Sequence, residues 1–326
     1  MDQAAVKKRV VGVDISLEET TYAVVDAKGD IFAKKSFPTN DYPDVHGFVS
    51  ALSGHILDLV EQNGGYETIR AVGISAPSAS YMTGCIINSA NLPWKGVIPL
   101  AAMLRGRLGL AVAVANDAHA IALGEHAFGC AHGMQNFVLI TLGSGMGSCF
   151  FSNGVAHQGN DGMGGEIGHT CVALDGRQCG CGNHGCLETY TGARGIVQTA
   201  RELMSETTEP SLMRGVEELT PKMITAFCEQ GDKLAQEVYR RTGEVLGMGL
   251  ANYASLVDPE AFIFAGGVSK AGDWLLEPAK KAFESYVFPN ISGHVQFLLS
   301  ELDDETHDVL GASVLAWEAK EYSLFK

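Results

Sequence analysis

"FVLITLGSGMGSCFF", residues 137–151, runs from an apolar strand into a turn marked by Gly143, Gly145 and Gly147, and leaves as a second strand. The same pattern opens the chain. "VVGVD" (10–14) and "TTYAVVD" (20–26) read as two strands, with Lys28 and Gly29 suiting the next hairpin. Between these blocks, Val45, Phe48, Val49, Leu52, Ile56 and Leu59 recur at helical spacing, and Gly64 and Gly65 stop that helix. Strands follow in "IRAVGIS" (69–75) and "CII" (85–87), then a helix around Leu100–Leu108, then the strand "AVAVAND" (111–117). After the central stretch, Asn153 and Gly154 signal another hairpin, helices are expected from Ala193 to Leu256, and "AFIFAGGVS" (261–269) is a further buried strand.

Two successive strand-then-helix blocks, each with its own turn, predict two α/β lobes around a cleft. The expected division is an N-terminal lobe over 1–116 and a larger lobe over 117–308. A C-terminal helix within 309–326 is expected to pack back on the first lobe. With 326 residues and 46% hydrophobic content, the chain can bury a core of that size. A net charge of −15 argues against nucleic acid as a partner, because phosphate backbones are held by clustered Lys and Arg. Neither a basic leader followed by an apolar stretch nor a bilayer-length apolar run is present, so a cytoplasmic protein without membrane contact is expected.

Three features carry chemistry. Alternate glycines at 143, 145 and 147 let backbone N–H groups approach an anion, although glycines also make ordinary hairpins. Gly266 and Gly267 leave a buried strand in the same manner. Asn116 and Asp117 end a strand just before a helix: they read either as an N-cap or as a carboxylate placed to take a proton from a substrate hydroxyl. The third feature is "QCGCGNHGCLE" (178–188), which holds three of the eight cysteines, Cys179, Cys181 and Cys186. With an upstream imidazole at His169 they form a tetrahedral Zn²⁺ donor set, with a redox thiol pair as the alternative and His184 as a competing nitrogen. Three sulfurs disfavour Mg²⁺, and four protein ligands leave no open position, which makes such a zinc structural.

Taken together, "NDAHAIALGE" (116–125), "LGSGMG" (142–147), "GGEIGHT" (164–170), "CGCGNHGCLE" (179–188) and "DPEAFIFAGGVS" (258–269) resemble the ROK family of sugar kinases and repressors. The resemblance implies an actin-like, ribonuclease H-like fold of two lobes. It also implies ATP with Mg²⁺ in the cleft and transfer of the γ-phosphate to a hexose hydroxyl, glucose foremost. By matching position, Asp117 would be the catalytic base and Asn116 a sugar contact, with Glu166, His169 and Glu188 as further sugar contacts and Asn91 of "NSANLPW" bordering them. Asp14, Gly143, Ser144, Gly145 and Gly147 would hold the phosphates, and Gly266 and Gly267 the adenosine. The family favours His169 over His184 as the zinc nitrogen and suggests a homodimer. The resemblance leaves an N-acetylhexosamine kinase and a non-catalytic sugar sensor as competing expectations. The repressor branch needs a DNA-binding helix-turn-helix, which is not expected in the nine residues before Val10.

Two departures from the family pattern bear on this expectation. Asp14 is followed by Ile15, Ser16, Leu17 and Glu18, where the family has a Gly-Gly-Thr turn. A carboxylate about 5 Å from a phosphate costs roughly 3 kcal/mol at an effective dielectric of 20, so Glu18 is expected to point away, be neutralised or weaken ATP binding. In "SAPSAS" (75–80), Ser78 replaces the usual glycine and is expected to narrow the sugar pocket.

Overall fold

The computed structural model describes residues 7–89, 91–160, 162–303 and 305–319. Contacts divide the chain into two units: one of 1–133, 158–164 and 301–326, the other of 134–157 and 165–300. In chain order the first unit carries β1 (Arg9–Ile15), β2 (Glu19–Asp26), β3 (Ile31–Pro38), α1 (Val45–Gln62), β4 (Ile69–Ser75), β5 (Ala79–Ser80), β6 (Cys85–Ile87), β7 (Val97–Ile98), α2 (Leu100–Leu108), β8 (Ala111–Ala115) and α3 (Asp117–Phe128). The second carries β9 (Phe137–Leu142), β10 (Met146–Ser152), β11 (Val155–Ala156), α4 (Glu188–Thr191), α5 (Ala193–Glu206), α6 (Pro221–Glu229), α7 (Lys233–Val257), β12 (Ala261–Ala265), α8 (Asp273–Tyr286) and β13 (Gln296–Leu299). The chain then returns to the first unit with α9 (His307–Glu318).

Each unit is built on a five-stranded sheet of the same design. The orders are β3-β2-β1-β4-β8 and β11-β10-β9-β12-β13. In both, an antiparallel meander supplies one side, and the other side consists of parallel strands reached through helices. Parallel strands demand near-continuous apolar sequence because both faces are covered. β12, "AFIFA", is buried at every position. The Asn153–Gly154 signal is realised as a turn with φ of 53° and 75° at its two central residues, the backbone that joins twisted strands most readily.

The sequence-based boundary at residue 116 differs from the structural one. α3 stays with the first unit because it lies along α9, which itself crosses β1 and β4. A Cβ on Gly73 in β4 would stand 1.9 Å from the Ala312 carbonyl oxygen, so only glycine lets α9 approach the sheet this closely. Residues 158–164 also return to the first unit, where the Gln158 amide nitrogen lies 3.2 Å from the His119 ring nitrogens. The expected C-terminal helix ends at Glu318 within the described part; residues 320–326 lie outside the described residues. Among the described residues no helix is long and apolar enough to cross a membrane.

Candidate active site and metal centre

In the first unit, strand register places the chemistry. Asp14 pairs with Ser75 across β1 and β4, and Ser75 pairs with Ala115 across β4 and β8. The next residues, Asn116 and Asp117, therefore emerge beside Asp14 at the carboxyl ends of parallel strands, where open α/β sheets present their ligands. Asn116 is the N-cap of α3, its side chain accepting from Ala118 N–H at 2.9 Å, and Asp117 Oδ1 accepts from the same N–H at 2.9 Å. The capping reading of the dipeptide is thus realised by both residues. Desolvation holds the Asp14 carboxyl well above the usual carboxylate range, reinforced by the charges of Asp308 and Asp117, while a Ser75 hydrogen bond and His307 pull the other way. Such crowding of carboxylates suits a divalent cation, whose charge would relieve it.

The first hairpin turn is made without glycine. Ser16 Oγ donates to Glu19 O at 2.9 Å and accepts from Glu19 N–H at 3.1 Å, and Ser16 N–H donates to the same carbonyl at 3.0 Å. Ser16, Leu17 and Glu18 are exposed, and none has a positive φ. The Ser16 hydroxyl thus closes the turn with local side-chain hydrogen bonds. Ser78 is different: it is exposed and sits at φ 58°, the left-handed region that favours glycine. Asn91 is exposed, its N–H donating to Ser89 Oγ at 3.3 Å.

In the second unit, one carboxylate joins the two motifs. Glu188, the first residue of α4, accepts from Cys179 Sγ at 3.0 Å through Oε1, which also lies 3.6 Å from His169 Nδ1. Its Oε2 accepts from Met146 N–H at 3.4 Å, at the exit of the glycine turn. A Cβ on Gly145 would stand 2.6 Å from that oxygen, which gives this glycine a reason beyond turn-making. Gly143 N–H donates to Gly145 O at 3.1 Å, and Gly143 O accepts from Ala193 N–H at 2.9 Å. The turn therefore contains Gly143, Ser144 and Gly145, whereas Gly147 lies inside β10, paired with Thr141. Gly266 comes to the same edge: at φ 90°, its Cβ position is only 2.6 Å from Leu142 O, and Val268 N–H donates to that oxygen. Gly267 follows with open space at its Cβ position.

The donor atoms of His169, Cys179, Cys181 and Cys186 all lie within 4.8 Å of one another. Tetrahedral zinc with Zn–S bonds of about 2.3 Å holds its sulfurs roughly 3.8 Å apart, with nitrogen and sulfur roughly 3.6 Å apart. Here Cys181 Sγ and Cys186 Sγ are 3.7 Å apart, and Cys179 Sγ is 3.7 Å from His169 Nδ1. A disulfide would bring two sulfurs to about 2.05 Å, and every cysteine is a free thiol. The residues fit a structural zinc. Backbone hydrogen bonding from Asn183 lowers the Cys181 thiol below its ordinary range, while burial raises Cys186.

Two supports of this centre carry no motif. Arg177 donates to Thr189 O at 2.9 Å, Gly195 O at 3.0 Å and Thr199 Oγ1 at 2.9 Å, and pairs with Glu202, fastening the loop to α4 and α5. Tyr253 on α7 donates to Ile167 O at 3.2 Å and also hydrogen-bonds Thr170 Oγ1, which fixes the turn bearing exposed Glu166 and half-buried His169. The guanidinium of Arg177 also covers the Tyr190 ring at 4.6 Å. Only the spacing of a single cation just before the cysteines hinted at the first; nothing near Tyr253 hinted at the second.

Comparison with known proteins supplies the remaining facts. The ROK family model matches residues 10–319. A glucokinase of Halalkalibacterium halodurans is 35% identical over 302 residues, covering 90% of this chain and 91% of that protein. A xylose repressor of Caldicellulosiruptor bescii is 27% identical over 239 residues, covering 72% of this chain and 60% of the repressor. Among solved structures, a ROK family glucokinase of Streptomyces griseus in complex with glucose and AMPPNP aligns with a TM-score of 0.78 at 32% identity, covering 95% of this chain and 99% of that one. The fold shared with such neighbours is the actin-like one, in keeping with the sheet order repeated in both units.

Proposed function

The chain belongs to the ROK family and is an ATP-dependent sugar kinase, and from that premise we propose that its substrate is glucose, phosphorylated to glucose 6-phosphate. The observation that carries the glucose assignment is the 35% identity to a glucokinase over 90% of this chain, while the Cys3His cluster, whose adjoining Glu188 reaches both His169 and the exit of the Gly143–Gly145 turn, supports a sugar site without identifying the sugar. In this reading Asp117 accepts the proton of the sugar hydroxyl as its oxygen attacks the γ-phosphorus and ADP departs. Asn116, Glu166, His169 and Glu188 hold the other hydroxyls, and Asn91 borders them. Gly143, Ser144 and Gly145 offer backbone to the phosphates, with Gly147 keeping the strand beside them slim, and Gly266 and Gly267 receive the adenosine.

Asp14 would help hold the Mg²⁺ that accompanies ATP, and that ion would supply charge neutralisation on the phosphates. His169, Cys179, Cys181 and Cys186 would hold a zinc ion, and four protein ligands would make its contribution one of rigidity. His169 turns Nδ1 toward the cysteines, which leaves its other nitrogen for sugar. The same reading makes the enzyme a cytoplasmic homodimer. ADP release measured with glucose, mannose, fructose and the N-acetylated hexosamines tests the assignment. Glucose is expected to give the largest kcat/KM; a larger value with an N-acetylated sugar would reassign the substrate.

Exposure of Glu18 bears on nucleotide affinity. In water the repulsion expected of a carboxylate near phosphate falls about fourfold below its value at a dielectric of 20. Glu18→Thr should therefore lower KM for ATP by no more than about fivefold, with kcat unchanged. Steady-state kinetics checks this: a change above roughly thirtyfold would mean that the carboxylate is seated against the phosphates.

A further inference from the structure

A fourth cysteine stands beside the metal centre. Cys171 is exposed and is paired with the buried ligand Cys186 in an isolated antiparallel bridge. The hydrogen bonds around the pair run from Val172 N–H to Gly185 O at 2.8 Å and from Leu187 N–H to Thr170 O at 2.9 Å. That pattern makes Cys171 and Cys186 a non-hydrogen-bonded pair, the closer of the two antiparallel arrangements, with Cα atoms about 4.5 Å apart and side chains on one face. This separation lies within the range that disulfides span. At present the two thiols point to different carbonyls, Cys171 Sγ to Ala173 O at 3.4 Å and Cys186 Sγ to His169 O at 3.5 Å. Rotation about the side-chain bonds of Cys171, which solvent leaves room for, brings its sulfur toward Cys186.

We propose that Cys171 is a peroxide-reactive thiol that closes a disulfide onto Cys186, withdrawing that ligand and releasing the zinc. The proposal rests on the zinc reading of the Cys3His cluster for its consequence, but the disulfide itself is set by the strand pairing. In the first step the Cys171 sulfur attacks hydrogen peroxide, forming a sulfenic acid and releasing one water. The Cys186 thiolate then attacks the sulfenic sulfur, forming the S–S bond and expelling hydroxide, while zinc leaves with its bond to Cys186 broken. Two thiol sulfurs lose two electrons in all, and one peroxide is reduced to two waters once the hydroxide is protonated. Loss of the clip frees His169 and Glu188, so the switch would couple peroxide to sugar use.

The experiment exposes the full chain, loaded with zinc, to hydrogen peroxide, and follows released zinc with a chromophoric chelator alongside a non-reducing peptide map. Tryptic cleavage after Arg177 separates Cys171 from the other three cysteines of the loop, and fragmentation of the joined peptides assigns the partner. A Cys171–Cys186 link is expected, formed in step with zinc release and reversed by dithiothreitol with added zinc. Cys171→Ser, a change at an exposed position, should release zinc at least about tenfold more slowly and keep normal turnover before oxidation. Equal release from the variant, or disulfides confined to Cys179, Cys181 and Cys186, would overturn the proposal. A chain that takes up no zinc would overturn the metal reading, and the peptide map would still decide whether Cys171 joins Cys186.

Discussion

Asp117→Asn is expected to lower kcat roughly a thousandfold while leaving sugar affinity within about threefold of wild type. The amide cannot accept the hydroxyl proton, but it keeps the shape and the oxygen that accepts from Ala118 N–H, so the start of α3 is preserved. The substitution also removes one of the charges that raise the Asp14 carboxyl. Relief of that repulsion means the variant should melt no lower than wild type. A structural role for Asp117 would show the opposite pattern, with sugar affinity and melting temperature falling together. Calorimetry for glucose, a thermal melt and a turnover assay on the same preparation separate the two.

Cys181→Ser is expected to have the second largest effect. Cys181 is exposed, so the hydroxyl costs little in packing, yet its sulfur is one of the three in the proposed zinc donor set. Zinc content should fall from one ion per chain toward none. KM for the sugar should rise roughly ten- to a hundredfold, the usual effect of losing the groups that orient a ligand through a metal. A smaller rise in KM for ATP is expected too, because Glu188 links His169 and Cys179 to the exit of the Gly143–Gly145 turn, where the phosphates are proposed to sit. The core around β9, β12 and α7 holds independently, through buried residues such as Tyr239, Phe262 and Phe264, so the far-ultraviolet spectrum should hardly change. Loss of zinc with unchanged kinetics would break the proposed coupling.

The legibility of this protein in its sequence varies with the range of the interaction. The cysteine trio could be read directly, because three sulfurs at short spacing have few other uses, whereas the choice of His169 over His184 as the nitrogen needed the family resemblance. The strand exit bearing Asn116–Asp117 was legible as a polar end to an apolar run, open to a capping or a chemical reading, whereas Asp14, inside β1, was singled out only through the family resemblance. The lobe boundary was not: α3 belongs with the first unit through its packing on α9, a segment nearly two hundred residues later. Gly147 looked like part of a turn and is part of a strand, because glycine spacing alone does not say where a hairpin reverses. The substitutions at Ser16 and Leu17 looked like the loss of a glycine turn. In the structure the Ser16 hydroxyl closes a turn of another kind, an option that a motif comparison does not contain. Arg177 and Tyr253 stayed hidden because their importance lies in which distant carbonyls they reach.

Transfer of labelled γ-phosphate from ATP to glucose, followed by phosphorus and proton NMR on the zinc-loaded chain with Mg²⁺, decides whether this protein is a glucose kinase. Glucose 6-phosphate is expected to accumulate in step with ADP, carrying the label, and to vanish in Asp117→Asn. Glucose bound in calorimetry with no labelled sugar phosphate formed, or ADP formed at the same rate without sugar, would contradict it.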